Sequence, residues 1–187
     1  MPKIRRKEFP DFAGIKDGWL LYLKEMPTVI GETAVNFFKD SFNRQGFIDK
    51  SFERWTPRNH KYGHKILMKS LFLQNSIKVV EANHNRVEVA PVTGTEHKYA
   101  QIHNEGGTIN ATIPITAKSR KFFWYMFKKT GDTKWKAMAL TKKTAFQTSF
   151  TMPKRQFIGT SEFLMKRLEM NNKKSIDEII KVHFKKV

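Results

Sequence analysis

Ile30, Ala34, Phe37, Phe38 and Phe42 stand at offsets of 0, 4, 7, 8 and 12. At 3.6 residues per turn these positions form one apolar stripe on a helix. Pro27 suits the first turn of such a helix, where its missing N–H has no partner to lose. Gly46 is the expected stop. An earlier helix is expected from near Ile15, carrying Trp19, Leu20 and Leu23, with Pro27 breaking or restarting it.

The remaining elements follow from local signals. Residues 46–64 read as a long loop holding Phe47, Phe52, Trp55 and Pro57, and a short helix is expected around Lys65–Leu73. Ser76–Ala82 and Arg86–Val92 are strand candidates, and in the second Val87 and Val89 alternate with Glu88 as a half-buried strand does. The polar Asn83-His84-Asn85 between them is a hairpin tip, since Asn tolerates left-handed backbone angles. A short helix over Lys98–Asn104 should stop at Gly106-Gly107. Thr108–Ile115 and Phe146–Thr151 are further strand candidates, the first limited to an edge or a strand end by Pro114. A helix should follow Gly159 with Phe163, Leu164 and Leu168 inward. Ser175 and Glu178 have capping-box spacing, which marks the start of a terminal helix within 171–187. The predicted class is α+β, as one domain with a basic arm over 1–14 and an insertion over 113–145.

Charge is the second constraint. The chain of 187 residues carries 35 Lys and Arg against 17 Asp and Glu, a net charge of +18. Between 113 and 155 there are 11 cations and one acid, Asp132. That stretch also holds Phe122, Phe123, Trp124, Tyr125, Phe127, Trp135, Phe146 and Phe150. Of the cations in the whole chain, 26 are Lys and 9 are Arg, a bias toward diffuse attraction over bidentate readout. No cysteine is present, which excludes disulfides, thiolate metal sites and cysteine nucleophiles. The basic start, Met1 to Lys7, leads into no apolar segment of signal type, and no run reaches the ~20 residues of a membrane span. No membrane role is expected.

No catalytic constellation emerges. Gly106-Gly107 is a lone pair without a following Gly-Lys-Ser/Thr, so it reads as a helix stop rather than a phosphate cradle. His60 and His64 have i, i+4 spacing, but Gly63 and Pro57 place them in a loop, and no Glu lies between them to complete a metalloprotease pattern. His103 reads as a buried structural histidine rather than a general base. Asp132-Thr133-Lys134 contains the acid-x-Lys fragment of metal-dependent nucleases, yet the basic stretch offers no second carboxylate. The expectation is no enzyme activity, no cofactor and no metal.

The stretch 118–155 is the strongest candidate for a binding surface. Aromatic rings stack on single-stranded bases and lysines neutralise phosphates, so nucleic acid is one reading. Four consecutive aromatics cannot share one face, so some should meet another protein chain, and this reading is preferred. The interface candidates are Phe123, Trp124, Phe127 and Trp135, with Lys128, Lys129, Lys142 and Lys143 around them.

Three segments, in order, resemble the phage virion morphogenesis family, which comprises tail completion proteins of contractile-tailed phages. The first is Phe42-Asn43-Arg44-Gln45-Gly46-Phe47 with Trp55-Thr56-Pro57. The second is Ile66-Leu67-Met68-Lys69-Ser70-Leu71 running on to Asn75-Ser76-Ile77. The third joins Tyr99-Ala100-Gln101-Ile102-His103-Asn104-Glu105-Gly106-Gly107 to Met152-Pro153-Lys154-Arg155-Gln156-Phe157-Ile158-Gly159. The resemblance spans about residues 28–170. Lys69-Ser70 departs from the family's usual Thr-Gly, and Gln156 stands where a second Pro is common. The resemblance implies an antiparallel sheet against a long N-terminal helix and C-terminal helices. It implies a structural role for Trp55, Pro57, Tyr99, His103, Gly106, Pro153, Arg155, Phe157 and Gly159. It also implies a homo-oligomeric ring, a hexamer being one stoichiometry, at the tail or neck of a virion. Such a protein is made in the bacterial host cytoplasm, partners tail tube or neck proteins, and can touch DNA in a channel without sequence preference. The alternative from another class is a basic nucleic-acid-binding protein with or without nuclease activity.

Overall fold

The computed structural model describes residues 11–58, 63–92 and 97–184. The chain divides into two compact units, one built from the segments up to Glu105 and from Lys154 onward, the other from Gly106–Pro153. In chain order the first unit contains α1 (Phe12–Arg44), β1 (Gly46–Ile48), β2 (Phe52–Arg54), α2 (Phe72–Ser76), β3 (Ile77–Ala82), β4 (Val87–Pro91), α3 (His97–Glu105) and, after the second unit, α6 (Glu162–Phe184). The second unit contains β5 (Gly107–Pro114), α4 (Ala117–Thr130), α5 (Thr133–Leu140) and β6 (Ala145–Met152). The fold is α+β, and among the described residues the strands pair antiparallel in three two-stranded sheets: β1–β2, β3–β4 and β5–β6.

Pro27 does not break α1: the helix runs unbroken for 33 residues with Pro27 buried inside it. A mid-helix proline loses one i→i−4 hydrogen bond. Packing on both sides of Pro27 compensates. N-terminal to it, α1 is tied to α6, where the Asp11 carboxylate lies 3.5 Å from His183 Nδ1. C-terminal to it, Gly31 of α1 faces Val79 and Val87 of the β3–β4 hairpin.

The helix stop also differs from expectation. Gln45, not Gly46, adopts the left-handed C-cap conformation, with φ 59°. The Gln45 side chain replaces what glycine would have supplied. Its Nε2 donates to the Phe42 carbonyl at 2.6 Å, and its Oε1 accepts from the Ile66 amide at 2.7 Å. Gly46 instead opens β1, where a Cβ would stand 2.5 Å from the Glu53 carbonyl oxygen and from the Phe52 ring. The expected loop over 46–64 therefore begins as a tight hairpin.

The helix expected around Lys65–Leu73 is a series of turns, and α2 starts only at Phe72. The β3–β4 hairpin closes without positive φ at its tip. Asn83 Oδ1 accepts from the amides of Asn85 and Arg86 at 2.9 and 2.8 Å, so the turn is made by the side chain. No helix starts at Ser175, because α6 is continuous from Glu162 to Phe184. Its true start is Ser161, whose Oγ accepts from the Leu164 amide at 3.1 Å and donates to the Ile48 carbonyl at 2.7 Å. The basic arm over 1–14 and His60 lie wholly or mostly outside the described residues.

The core of the first unit is the predicted stripe and what meets it. Phe42, Ile77 and Phe157 are fully buried, joined by Ala34, Phe37, Phe38, Phe47, Trp55, Leu73, Ala100 and Leu164. Each large side chain removed from water contributes roughly 1.5–3 kcal/mol. Phe42 is the hub, with ring centroids 5.4 Å from Trp55 and 5.2 Å from Phe157.

Candidate functional site

Two constellations carry the residues singled out by sequence. In the first unit, a short helix and two distant segments converge. Gly106, with φ 75°, ends α3 in a backbone conformation that favours glycine. Just before that stop, Asn104 Oδ1 accepts from the amides of Phe157 and Ile158 at 3.0 and 3.1 Å. The Arg155 amide donates to the His103 carbonyl at 2.9 Å. Trp55 Nε1 donates to the Gln156 carbonyl at 2.6 Å, and Arg155 Nη2 reaches the Thr56 carbonyl at 3.4 Å. The rings of Tyr99 and His103 meet edge to face at 4.5 Å. Trp55, Tyr99, His103, Arg155 and Phe157 thus form one connected cluster. Pro57 and Gly159 are exposed beside it, and Pro153 is half-buried at the edge of the second unit. Asn104, which stitches α3 to the 155–158 segment, was not singled out by sequence. Its position at the end of a helix that stops at glycine was the available signal.

The electrostatics of this cluster are unusual. Arg155 and His103 are both only 7% exposed. His103 Nδ1 and Arg155 Nε are buried without a hydrogen-bond partner. No carboxylate pairs with Arg155 among the described residues. Burial, and then the Arg155 charge, hold the His103 imidazole below its ordinary pKa, so it is neutral at pH 7. Burial, and then Arg58, lower the pKa of the Arg155 guanidinium as well.

In the second unit, β5 and β6 pair in unbroken register from Gly107↔Met152 to Pro114↔Ala145. Between them α4 and α5 form a helical hairpin. Thr116 and Ser119 close a capping box at the start of α4, and Gly131 ends it. Asp132 caps α5, accepting from the Lys134 amide at 3.0 Å, and its carboxylate lies 2.8 Å from Lys134 Nζ. Those hydrogen bonds hold the Asp132 carboxyl below its ordinary pKa. The acid-x-Lys fragment is therefore a helix cap. Among the described residues no group of three His, Asp or Glu side chains could hold a metal ion.

The four aromatic interface candidates divide. Phe123 stacks on Trp135 at 6.1 Å and meets Phe146 edge to face at 6.1 Å, so this pair serves the unit's own small core with buried Ala139. Trp124 and Phe127 pair with each other at 6.1 Å, and Lys136 Nζ sits 5.9 Å from the Phe127 ring. Phe122 and Tyr125 are more exposed than any of the four, at 51% and 58%, and the sequence reading did not select them. Helical phase decides this: α4 buries none of its residues fully, and its aromatics surround the axis. Lys128, Lys129, Lys142 and Lys143 are all exposed. Arg120 is committed elsewhere, donating to the Ala139 and Thr141 carbonyls at 2.7 and 2.8 Å to close the helical hairpin.

A family model, described as the phage virion morphogenesis family, matches residues 24–185. The chain belongs to the phage virion morphogenesis family. No curated protein and no solved structure matches it. The match spans both units of this morphogenesis-family chain, including the whole α4–α5 hairpin. Its role is thus in building a phage particle, and it is virion-associated. None of the helices described is long and apolar enough to cross a membrane.

Proposed function

We propose that this chain is a non-enzymatic structural protein that forms a homo-oligomeric ring at the tail or neck of the virion, in tail completion or head–tail joining. The observation that carries the reading is the family match over 24–185. The second unit supports it as the assembly element. Its helices display Phe122, Trp124 and Tyr125 beside exposed lysines, a composition typical of surfaces that meet another macromolecule. Tail tube or neck proteins are the protein partners, and the positive charge suits non-specific contact with DNA passing through a channel.

Negative-stain electron microscopy of the purified full chain, alone and mixed with tail tubes from the same phage, tests this. Rings of fixed diameter that seat on tube ends are the expected result. A monodisperse monomer that never associates with tubes, but binds DNA with a steep salt dependence, would favour the nucleic-acid-binding reading instead.

A further inference from the structure

The first unit carries two unmatched sets of charge. One is a recessed guanidinium: Arg155, beside the neutral His103, each nine-tenths buried, with Nε and Nδ1 unpartnered and no carboxylate paired with Arg155 among the described residues. They lie one layer beneath exposed residues, since Tyr99 touches His103 and Thr56 accepts from Arg155. An unpaired buried guanidinium is a costly feature that an incoming carboxylate relieves. The other set is Asp17, Glu25 and Glu32 on α1, all exposed and in no ion pair among the described residues. At 3.6 residues per turn they fall within roughly 80° of helical arc, so three carboxylates share one face, with Lys24 at its edge.

These sets cannot meet within one chain. Phe42 of α1 packs on Phe157, which is bound to the same segment as Arg155. At 1.5 Å per residue the three acids lie roughly 15–40 Å up the helix axis from Phe42. Donor and receptor therefore occupy different ends of the unit. Such a contact is head-to-tail between copies, the kind that closes rings.

We propose that the His103–Arg155 recess receives a carboxylate of the Asp17/Glu25/Glu32 stripe from a second copy of this chain. The proposal rests on the ring reading and names its contact. A second copy is favoured over DNA because a recessed guanidinium is reached by a carboxylate on a flexible stem. Duplex phosphates engage exposed cations instead, and the second unit offers eight exposed lysines against a single acid, Asp132. Between like-charged copies of +18, such acid–cation contacts also offset the repulsion of assembly.

The test is sedimentation velocity on the full chain at a concentration where the wild type is assembled. The triple variant Asp17→Asn/Glu25→Gln/Glu32→Gln and the single variant Arg155→Gln should each associate at least tenfold more weakly. Mixed one to one, they should recover association that stops at a dimer, because only one intact donor–receptor pair remains. Should Arg155→Gln not fold by circular dichroism, Arg155→Lys, which keeps charge but loses the planar fork, takes its place in the mixture. Wild-type-like assembly of both variants, or a mixture that stays monomeric, overturns the contact while leaving the ring reading intact. A wild type that is monomeric throughout overturns both. Undiminished assembly with weakened DNA binding in Arg155→Gln would assign the recess to phosphate and overturn the proposal.

Discussion

Trp55 Nε1 and the Gln156 carbonyl oxygen lie 2.6 Å apart, joining segments 101 positions distant in sequence. The indole that makes this bond is 4% exposed and packs edge to face on Phe42. One side chain thus couples the β1–β2 hairpin, the long helix and the segment that leads into α6.

Trp55→Phe keeps a ring in the core and removes the donor. The Gln156 carbonyl is then left without its partner, at a cost of about 1–3 kcal/mol. Trp55→Ala adds a cavity and should cost about 3–5 kcal/mol. Urea unfolding midpoints with unchanged slope are the measurement; equal midpoints for wild type and Trp55→Phe would show that the bond contributes nothing.

Asn104→Ala leaves the buried-side amides of Phe157 and Ile158 without their acceptor and should destabilise by roughly 1–3 kcal/mol. Asn104→Asp retains an acceptor oxygen at that position and should lose far less. The same unfolding experiment separates the two, and identical losses would mean that Asn104 acts through packing.

Gly107 and Met152 are paired across the β5–β6 ladder, so the ends of the second unit stand about 5 Å apart. Replacing 108–151 by a two-residue Gly-Ser link should leave a first unit that unfolds cooperatively on heating, with its Phe42–Ile77–Phe157 core intact. The shortened chain should fail to assemble. Loss of cooperative unfolding would mean that the first unit depends on the second for its fold.

His103 sets a pH dependence with a definite sign. Its folded pKa is below the ordinary value of 6.5, so the unfolded chain binds the proton more readily. Its contribution is fully present above pH 6.5 and is lost as pH falls through the lower folded value. Melting temperatures should therefore drop between pH 7.5 and 5, with a shallower drop in His103→Gln. Parallel profiles for the two proteins would refute the assignment.

Asp132 caps a helix rather than binding a metal, so magnesium or manganese should elicit no nucleic-acid hydrolysis from the purified chain. The decisive observation against this is divalent-dependent cleavage that disappears in Asp132→Ala. Loss of α5 helicity without any change in such an assay is the expected phenotype.

Much of this architecture was legible because it depends on near neighbours in the chain. The stripe from Ile30 to Phe42, the β3–β4 hairpin with its asparagine tip, and the glycine stop of α3 each follow from spacing of a few residues. The family, too, was readable from ordered short segments. What the sequence could not show is where long-range contacts override a local rule. Pro27 should end a helix by its own chemistry, yet packing on both flanks carries α1 through it. Gln45 takes a conformation suited to glycine because Ile66, far along the chain, bonds its side chain. Ser175 and Glu178 have the spacing of a cap, but the helix had already begun at Ser161, held by Ile48. The division of the aromatics in α4 is of the same kind, since Phe123 turns inward only because Trp135 and Phe146 are there to receive it. Likewise, Arg155 is one basic residue among many until folding buries it beside His103 with no acid paired to it among the described residues.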